Sequence, residues 1–490
     1  MKKFRNIILG ALLFLGMTSC NQFLDVTPKN VISMDDMESI KQSLAGFLYN
    51  VRDGGSGSNS MPWSPFSITS VYGLVSYSEE WDLSQFVEND FTDSEIQICD
   101  WRNEVNSSLW SNYYNPIGLM NLIIHEAEEA EGDETMRDYV MGEAYTMRAF
   151  CFFKLLQYFA PYQNDELGIP VCLETYEDFE SVILARSTQK EVYGQILSDL
   201  KEAELRLQRT PTRESYNLMY CEEVINRLYA QVYHFKAMSA AAEEDDWKNA
   251  IAYAEKETHG KELESDPEAL RAMFNAGNSG FSKSIECPLR LASFGSGGFS
   301  TLFDDKKVDE TFYKAYFPEG NGDIRKDLYY QVVSYFDWGT FQYVTTLKIN
   351  KFSSYSDWLA GYYYLHYGFR LAETFLIQAE AYVRTEQLDK AQEMLRRFKE
   401  ARYTEAFQIP DTEEALLDEI IRERQKEFLA EGDIRWLDMK RLGVKTERTV
   451  GGETFKLNGY EDYRYAFPIP LSEVNINKYI EQNPSWILND

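Results

Sequence analysis

The densest run of ionisable side chains is ERQKEFLAEGDIRWLDMKRL, late in the 490-residue chain. It carries Glu423, Arg424, Glu427, Glu431, Arg435, Asp438 and Arg441. Glu427 and Glu431 are four apart, and Arg424 and Glu427 three apart, so they share one helix face. Two carboxylates on one face are the equipment of glycoside hydrolysis, where one donates a proton and the other attacks or activates water. The arginines argue against that chemistry, because they hold carboxylates ionised, the wrong state for a general acid. The spacing favours a structural ion network of Glu423, Arg424, Glu427, Arg435 and Asp438 joining the last helices. Gly432 is expected to end a helix in a left-handed turn. No catalytic residue is assigned.

Aromatic residues make up 15 % of the chain. Flat rings at a surface stack on the apolar C–H faces of sugars with little ordering cost. Five tryptophans lie in irregular stretches and are the candidate platform: Trp63, Trp81, Trp101, Trp338 and Trp358. Tyr363, Asp337 and Asp357 stand beside the two densest clusters, YFDWGTFQY and SDWLAGYYYLHYG, as further candidate ligand contacts. Core packing is the competing reading for each tryptophan. Trp110 opens a helical stretch and is assigned to the core, and Trp247, Trp436 and Trp486 are assigned to structure.

Other chemistries find no support. No GxSxG, Walker loop, dinucleotide fingerprint or HExxH occurs. The four histidines include no i, i+4 pair, and the cysteines beyond Cys20 show no CxxC, so neither a metal nor a cofactor is expected. The net charge of −30 repels phosphate backbones, which excludes nucleic acid as a partner.

These side chains need a scaffold, and the chain reads as mainly α. Lys2, Lys3 and Arg5 precede a short apolar stretch and then LGMTSC, the pattern of a signal cut before a cysteine that becomes acylated. Residues 1–19 are therefore expected to be a signal peptide, with Cys20 the lipid attachment and 20–30 an extended tether. Membrane association would run through that anchor alone. Residues 31–260 read as a helical-repeat region interrupted by a loop insert over 53–105. Within it, Tyr139–Tyr158 carries apolar residues three and four apart. Ser187-Thr188 stands before Glu191 in a capping-box pattern. Two pairs, Met219–Ala242 with DDWKNAIAYAEKET and RLAETFLIQAEAYVRT with EQLDKAQEMLRRFKEAR, read as helical hairpins of the tetratricopeptide kind. Ala250, Ala254 and Ala391 mark their close contacts. Residues 261–365 read as an irregular insert with a few short strands, including YYQVVSYF and FQYVTTLKI. Residues 366–490 complete the scaffold, mostly as loop beyond about residue 446.

Five segments together resemble the SusD/RagB family of outer-membrane lipoproteins: CNQFLDVTPKNVIS, GEAYTMRAFCFFKLLQYFA with its following GIPV, RSTQKEVYGQILSDLKEAE, ERQKEFLAEGDIRWLDMKRLG, and AFPIPLSEVNINKYIEQNPSW, where Gly often replaces Ser485. The resemblance implies a tetratricopeptide-like scaffold with a loop-rich insert. It implies a surface position on the outer membrane of a Gram-negative bacterium, with a SusC-like TonB-dependent barrel as partner. It implies a binding protein for a nutrient, usually a glycan and in some members a peptide, and not an enzyme. A peptide- or protein-binding receptor of the same architecture is the alternative reading, and a surface glycoside hydrolase is the second alternative, from another class. Ligand residues of that family lie in variable loops, so none is carried over by motif.

Overall fold

The computed structural model describes residues 34–52, 65–66, 73–82, 98–102, 107–175, 184–274, 286–289, 291–295, 307–337, 341–349, 351, 362–366, 368–450 and 452–486. Helices dominate. The first six are α1 (Met37–Arg52), α2 (Ser107–Glu129), α3 (Glu134–Phe159), α4 (Gln189–Leu207), α5 (Glu222–Lys236) and α6 (Asp246–Thr258). The intervening segments supply β1 (Trp81–Asp82), α7 (Pro267–Phe274), β2 (Leu291–Gly295), β3 (Lys307–Val308), α8 (Glu310–Tyr316), α9 (Arg325–Tyr329), β4 (Tyr330–Asp337), β5 (Gln342–Ile349) and β6 (Tyr362–His366). The helical body then resumes with α10 (Leu371–Arg384), α11 (Leu388–Glu400), α12 (Glu413–Glu427) and α13 (Ile434–Leu442). β7 (Lys445–Val450), β8 (Glu453–Asn458) and α14 (Leu471–Ile476) follow.

Antiparallel pairs form the bundle: α2 with α3, α3 with α4, α5 with α6, and α10 with α11. Helix α10 also packs on α5, α6 and α12, which closes the two halves of the body on each other. Small residues allow the close approach. Ala230, Ala250, Ala254, Ala379 and Ala391 are all fully buried. Thr188 caps α4, and Glu191 returns the bond to the Thr188 backbone, as the sequence pattern predicts.

Helix α3 is buried along nearly its whole length, so each polar residue in it needs a partner. Glu143 accepts backbone N–H bonds from Leu218, Met219 and Tyr220 ahead of α5. Arg148 grips Asp199 of α4 with two bonds and Asn121 of α2 with a third. Gly142 is where the Tyr220 ring lies against α3; a Cβ there would sit 2.3 Å from it. At the helix's C-terminal end, Lys440 donates to the Gln157 and Ala160 carbonyls, and Arg186 and Asn483 donate to that of Phe159. Cationic donors there complement the helix dipole and satisfy carbonyls that the helix leaves open.

Four two-stranded antiparallel ladders occur among the described residues. β4 and β5 form the expected hairpin. β7 and β8 form a second hairpin where the sequence reading had mostly loop. The signal was Gly451-Gly452 between the alternating KTERTV and ETFKLN, a two-residue hairpin turn. Gly432 is left-handed as expected, but α12 ends earlier, at Glu427, and Ala430 is left-handed as well. Ser485 has φ 68°, the left-handed conformation that favours glycine.

Glu80 sits beside β1, almost fully buried, with Oε2 accepting from Ser78. Burial, reinforced by the Glu79 charge, raises its pKa from 4.5 to about 8. The folded protein thus keeps a proton that the unfolded chain sheds. The stability this contributes is fully present below about pH 4.5 and is lost as pH rises to about 8. Glu80→Gln should flatten that decline. Urea unfolding at about pH 5.5 and about pH 8.5 should show a loss in the native protein exceeding the variant's, by an amount on the order of a few kcal/mol.

Candidate functional site

Among the described residues, the β4–β5 hairpin carries the two most exposed aromatic side chains. Its register pairs Tyr330 with Ile349 at the root, Phe336 with Tyr343 near the tip, and Asp337 with Gln342 at the tip. Alternation puts Val332, Ser334, Phe336, Tyr343, Thr345 and Leu347 on one face. The root of that face is closed: Leu347 and Tyr330 are buried, and Tyr330 meets Tyr313 and Phe317 edge-on. The distal end is open, with Tyr343 79 % and Phe341 72 % exposed. Phe336 meets Tyr343 edge-on at 5.3 Å and Phe341 at 6.3 Å. Phe341 itself is left-handed, φ 55°, a conformation that few bulky residues adopt.

Buried ion pairs fix the root of this hairpin. Arg325 opens α9 just before β4, and Lys351 lies just after β5. Arg325 donates to Asp323 at 2.9 Å and to Glu423 at 2.5 Å. Lys351 donates to Glu431 and to the Glu427 carbonyl, both at 2.6 Å, and its ammonium lies 4.1 Å above the Tyr329 ring. Arg370, just before α10, bonds Glu431 with one nitrogen and Glu427 with the other. Arg402, at the end of α11, takes both oxygens of Glu427. These charged groups are all essentially inaccessible to solvent.

The residues expected to form an ion network therefore divide into three sets. Glu423 and Glu427 belong to the cluster just described. Arg424 pairs with Asp438 and Glu373, and Asp438 also with Arg441, which reaches Glu380 and through it His234. Arg435 pairs instead with Glu79. Burial alone would raise the carboxylate pKa values. Arg402, Arg370 and Arg325 nonetheless hold Glu427 well below the usual range, and Arg424 and Arg441 lower Asp438. Glu431 differs in direction: burial outweighs Arg370 and Lys351 and raises its pKa.

The tryptophan candidates fare differently. Trp81 and Trp101 are buried, and the platform reading is corrected for both. Trp81 donates its indole N–H to the Val75 carbonyl and packs in the core under the insert. Trp101 is fully buried, bonds the Tyr77 carbonyl and carries the Arg448 guanidinium 3.9 Å above its ring. Trp63, Trp338, Trp358 and Asp357 lie outside the described residues, as does Cys20. Asp337 and Tyr363 are placed by backbone only, at the hairpin tip and opposite Phe294 in the β2–β6 ladder. The sequence reading marked YFDWGTFQY as dense but passed over its Phe336, Phe341 and Tyr343. The i, i+2 spacing of Phe341 and Tyr343 in FQYVTTLKI, opposite the alternating YYQVVSYF, was the usable signal.

A sequence profile described as "Starch-binding associating with outer membrane" matches residues 22–220, and one described as "SusD family" matches residues 323–486. The chain belongs to the SusD/RagB family. A SusD-like protein of Formosa agariphila is 22 % identical over 99 % of both chains. A SusD superfamily protein of Bacteroides thetaiotaomicron superposes with a TM-score of 0.68 at 20 % identity, covering 92 % of this chain and 100 % of that one. A SusD-like carbohydrate binding protein of Bacteroides vulgatus gives 0.65 at 18 % identity, covering 91 % and 97 %. The mainly helical body with few short strands is the SusD fold. Among the described residues, no helix is long and apolar enough to cross a membrane.

Unpairing the cluster should cost more than unpairing its outlier. Arg402→Ala leaves Glu427 buried without its main partner and should destabilise by about 3–5 kcal/mol. Arg435→Ala breaks a single pair with Glu79 and should cost about 1–3 kcal/mol. Neither should weaken ligand binding where the variant remains folded, which urea titration and calorimetry on the same samples would check.

Proposed function

We propose that this protein is a cell-surface nutrient-binding lipoprotein that captures glycans and passes them to a SusC-like TonB-dependent barrel. The observation that carries the reading is the β4–β5 hairpin, with exposed Phe341 and Tyr343 beside a half-buried Phe336 on a root clamped by Arg325 and Lys351. Exposed aromatic rings at a rigid tip suit the C–H faces of sugars. Family membership supports the binding role and the outer-membrane partner, and the carbohydrate-binding relative supports glycans as the ligand class. Trp338, Trp63, Trp358, Asp357, Asp337 and Tyr363 remain part of the proposed surface.

Binding rather than hydrolysis fits the carboxylates described above. Glu427 and Glu431 are buried and straddle one guanidinium, that of Arg370, so no glycosidic bond fits between them. We assign no cofactor and no metal.

The double variant Phe341→Ala/Tyr343→Ala should bind its polysaccharide at least about tenfold more weakly in affinity electrophoresis, with an unchanged melting temperature, since both rings are exposed. Unaltered retardation across a panel of neutral polysaccharides that the native protein binds would remove the hairpin from the site.

Anchoring is tested separately. Cys20→Ala should move the protein from the membrane fraction to the soluble fraction of cells. Retention of the variant through a high-salt wash would refute the acyl tether.

A further inference from the structure

A second cleft lies away from the hairpin's part of the chain. It opens between the loop after α3, at Pro161–Asp165, and the C-terminal segments at Tyr460–Ala466 and Asn483–Ser485. It encloses about 710 Å³ of empty space, counting the part open to solvent.

Two features of the lining point to a ligand. Asn483 is 2 % exposed, and its Nδ2 donates to the Phe159 and Phe467 carbonyls at 2.7 and 2.6 Å. Those bonds fix the amide's orientation and leave Oδ1 as a buried acceptor with no hydrogen-bond partner. Tyr460 and Tyr463 are 39 % and 37 % exposed. Neither ring is loose: Tyr460 donates its hydroxyl to the Arg441 carbonyl, and Tyr463 meets Trp486 edge-on at 5.0 Å. Trp486 is held in turn by its indole N–H on the Ala466 carbonyl.

The charges select against an anion. Lys440 is the cation in the lining, and it is buried and committed to the Gln157 and Ala160 carbonyls. Asp165 and Glu461 add negative charge to the lining, and Asp462 is taken by Arg464. What remains is an acceptor for a hydroxyl and two aromatic rings for an apolar face. We infer that this cleft is a second carbohydrate site, which takes one neutral pyranose unit against Tyr463 with a ring hydroxyl donating to Asn483 Oδ1. It does not depend on the hairpin being a glycan site.

The test uses the full chain labelled with 5-fluorotryptophan, the Trp486 signal being assigned by its loss in Trp486→Phe. Maltotetraose, cellotetraose and xylotetraose are the probes, titrated to about 10 mM because a site for one ring is expected to be weak. At least one should shift the Trp486 signal saturably. The shift should persist in Phe341→Ala/Tyr343→Ala and in Tyr463→Phe, which keeps the ring. It should weaken at least about tenfold in Tyr463→Ala and in Tyr463→Leu, which keeps apolar bulk against Trp486 but offers no flat face. An unmoved Trp486 signal with all three sugars, or an equal shift in Tyr463→Leu, overturns the proposal and leaves ordered water as the partner of Asn483. Loss of the shift in the hairpin variant alone overturns the claim that the cleft is a separate site.

Discussion

The Glu427 carboxylate fixes the architecture, because segments far apart in the chain must all reach it or its neighbours. Arg402 closes α11 on it, Arg370 brings in the start of α10, and Arg325 brings in the insert. Lys351 returns the far end of the hairpin to the Glu427 carbonyl and to Glu431. Buried ion pairs add little net stability over well-packed apolar residues, since desolvation consumes most of the Coulomb gain. Their effect is on alternatives. An insert displaced by one residue strands an unpaired charge in the interior, at a cost of several kcal/mol. The network therefore acts as a register lock for α9, β4 and β5.

Helix α3 does the same for the N-terminal half. Its GEAYTMRAF stretch supplies Glu143 to the start of α5 and Arg148 to α2 and α4, and Lys154 and Tyr158 meet Asp433 ahead of α13. GEAYTMRAFCFFKLLQYFA and ERQKEFLAEGDIRWLDMKRLG are two of the five segments that resemble the family, and the structure puts them in contact. Polar residues inside a helix buried on all sides are costly unless paired, so their identities are constrained as strongly as those of any apolar core.

What could be read from sequence follows from how local each determinant is. The Thr188–Glu191 capping box and the alanines at 250, 254 and 391 act within one turn or one helical pair, and the structure places them as read. The alternation in YYQVVSYF and FQYVTTLKI is equally local and gives the β4–β5 hairpin. The β7–β8 hairpin was missed because charged residues at Lys445, Glu447, Arg448, Glu453 and Lys456 mask its alternation. Trp81 and Trp101 show the other limit. Both sit in irregular stretches, where composition cannot distinguish an exposed ring from one covered by a distant segment. Here the β7 residue Arg448 covers Trp101. The partners of Arg435 and Glu431 are likewise non-local. Sequence spacing puts charges on a helix face but does not say which residues meet them.

The separation between a buried, charged root and an aromatic tip bears on the proposed binding of a glycan. A flat ring gains little from one sugar face, on the order of 1 kcal/mol, so the ordering cost of the loop that carries it decides whether binding is measurable. A free loop would spend that gain on its own ordering. A hairpin whose two ends enter the same buried network has already met most of that cost during folding. Ser334 and Thr345 extend the order along its length with a cross-strand hydroxyl contact of 2.8 Å. The aromatic tip can therefore vary without disturbing the scaffold, because Phe341 and Tyr343 contribute little to the core. Arg325 and Lys351 cannot, because their charges are neutralised only by the particular carboxylates of α12 and the turn that follows it.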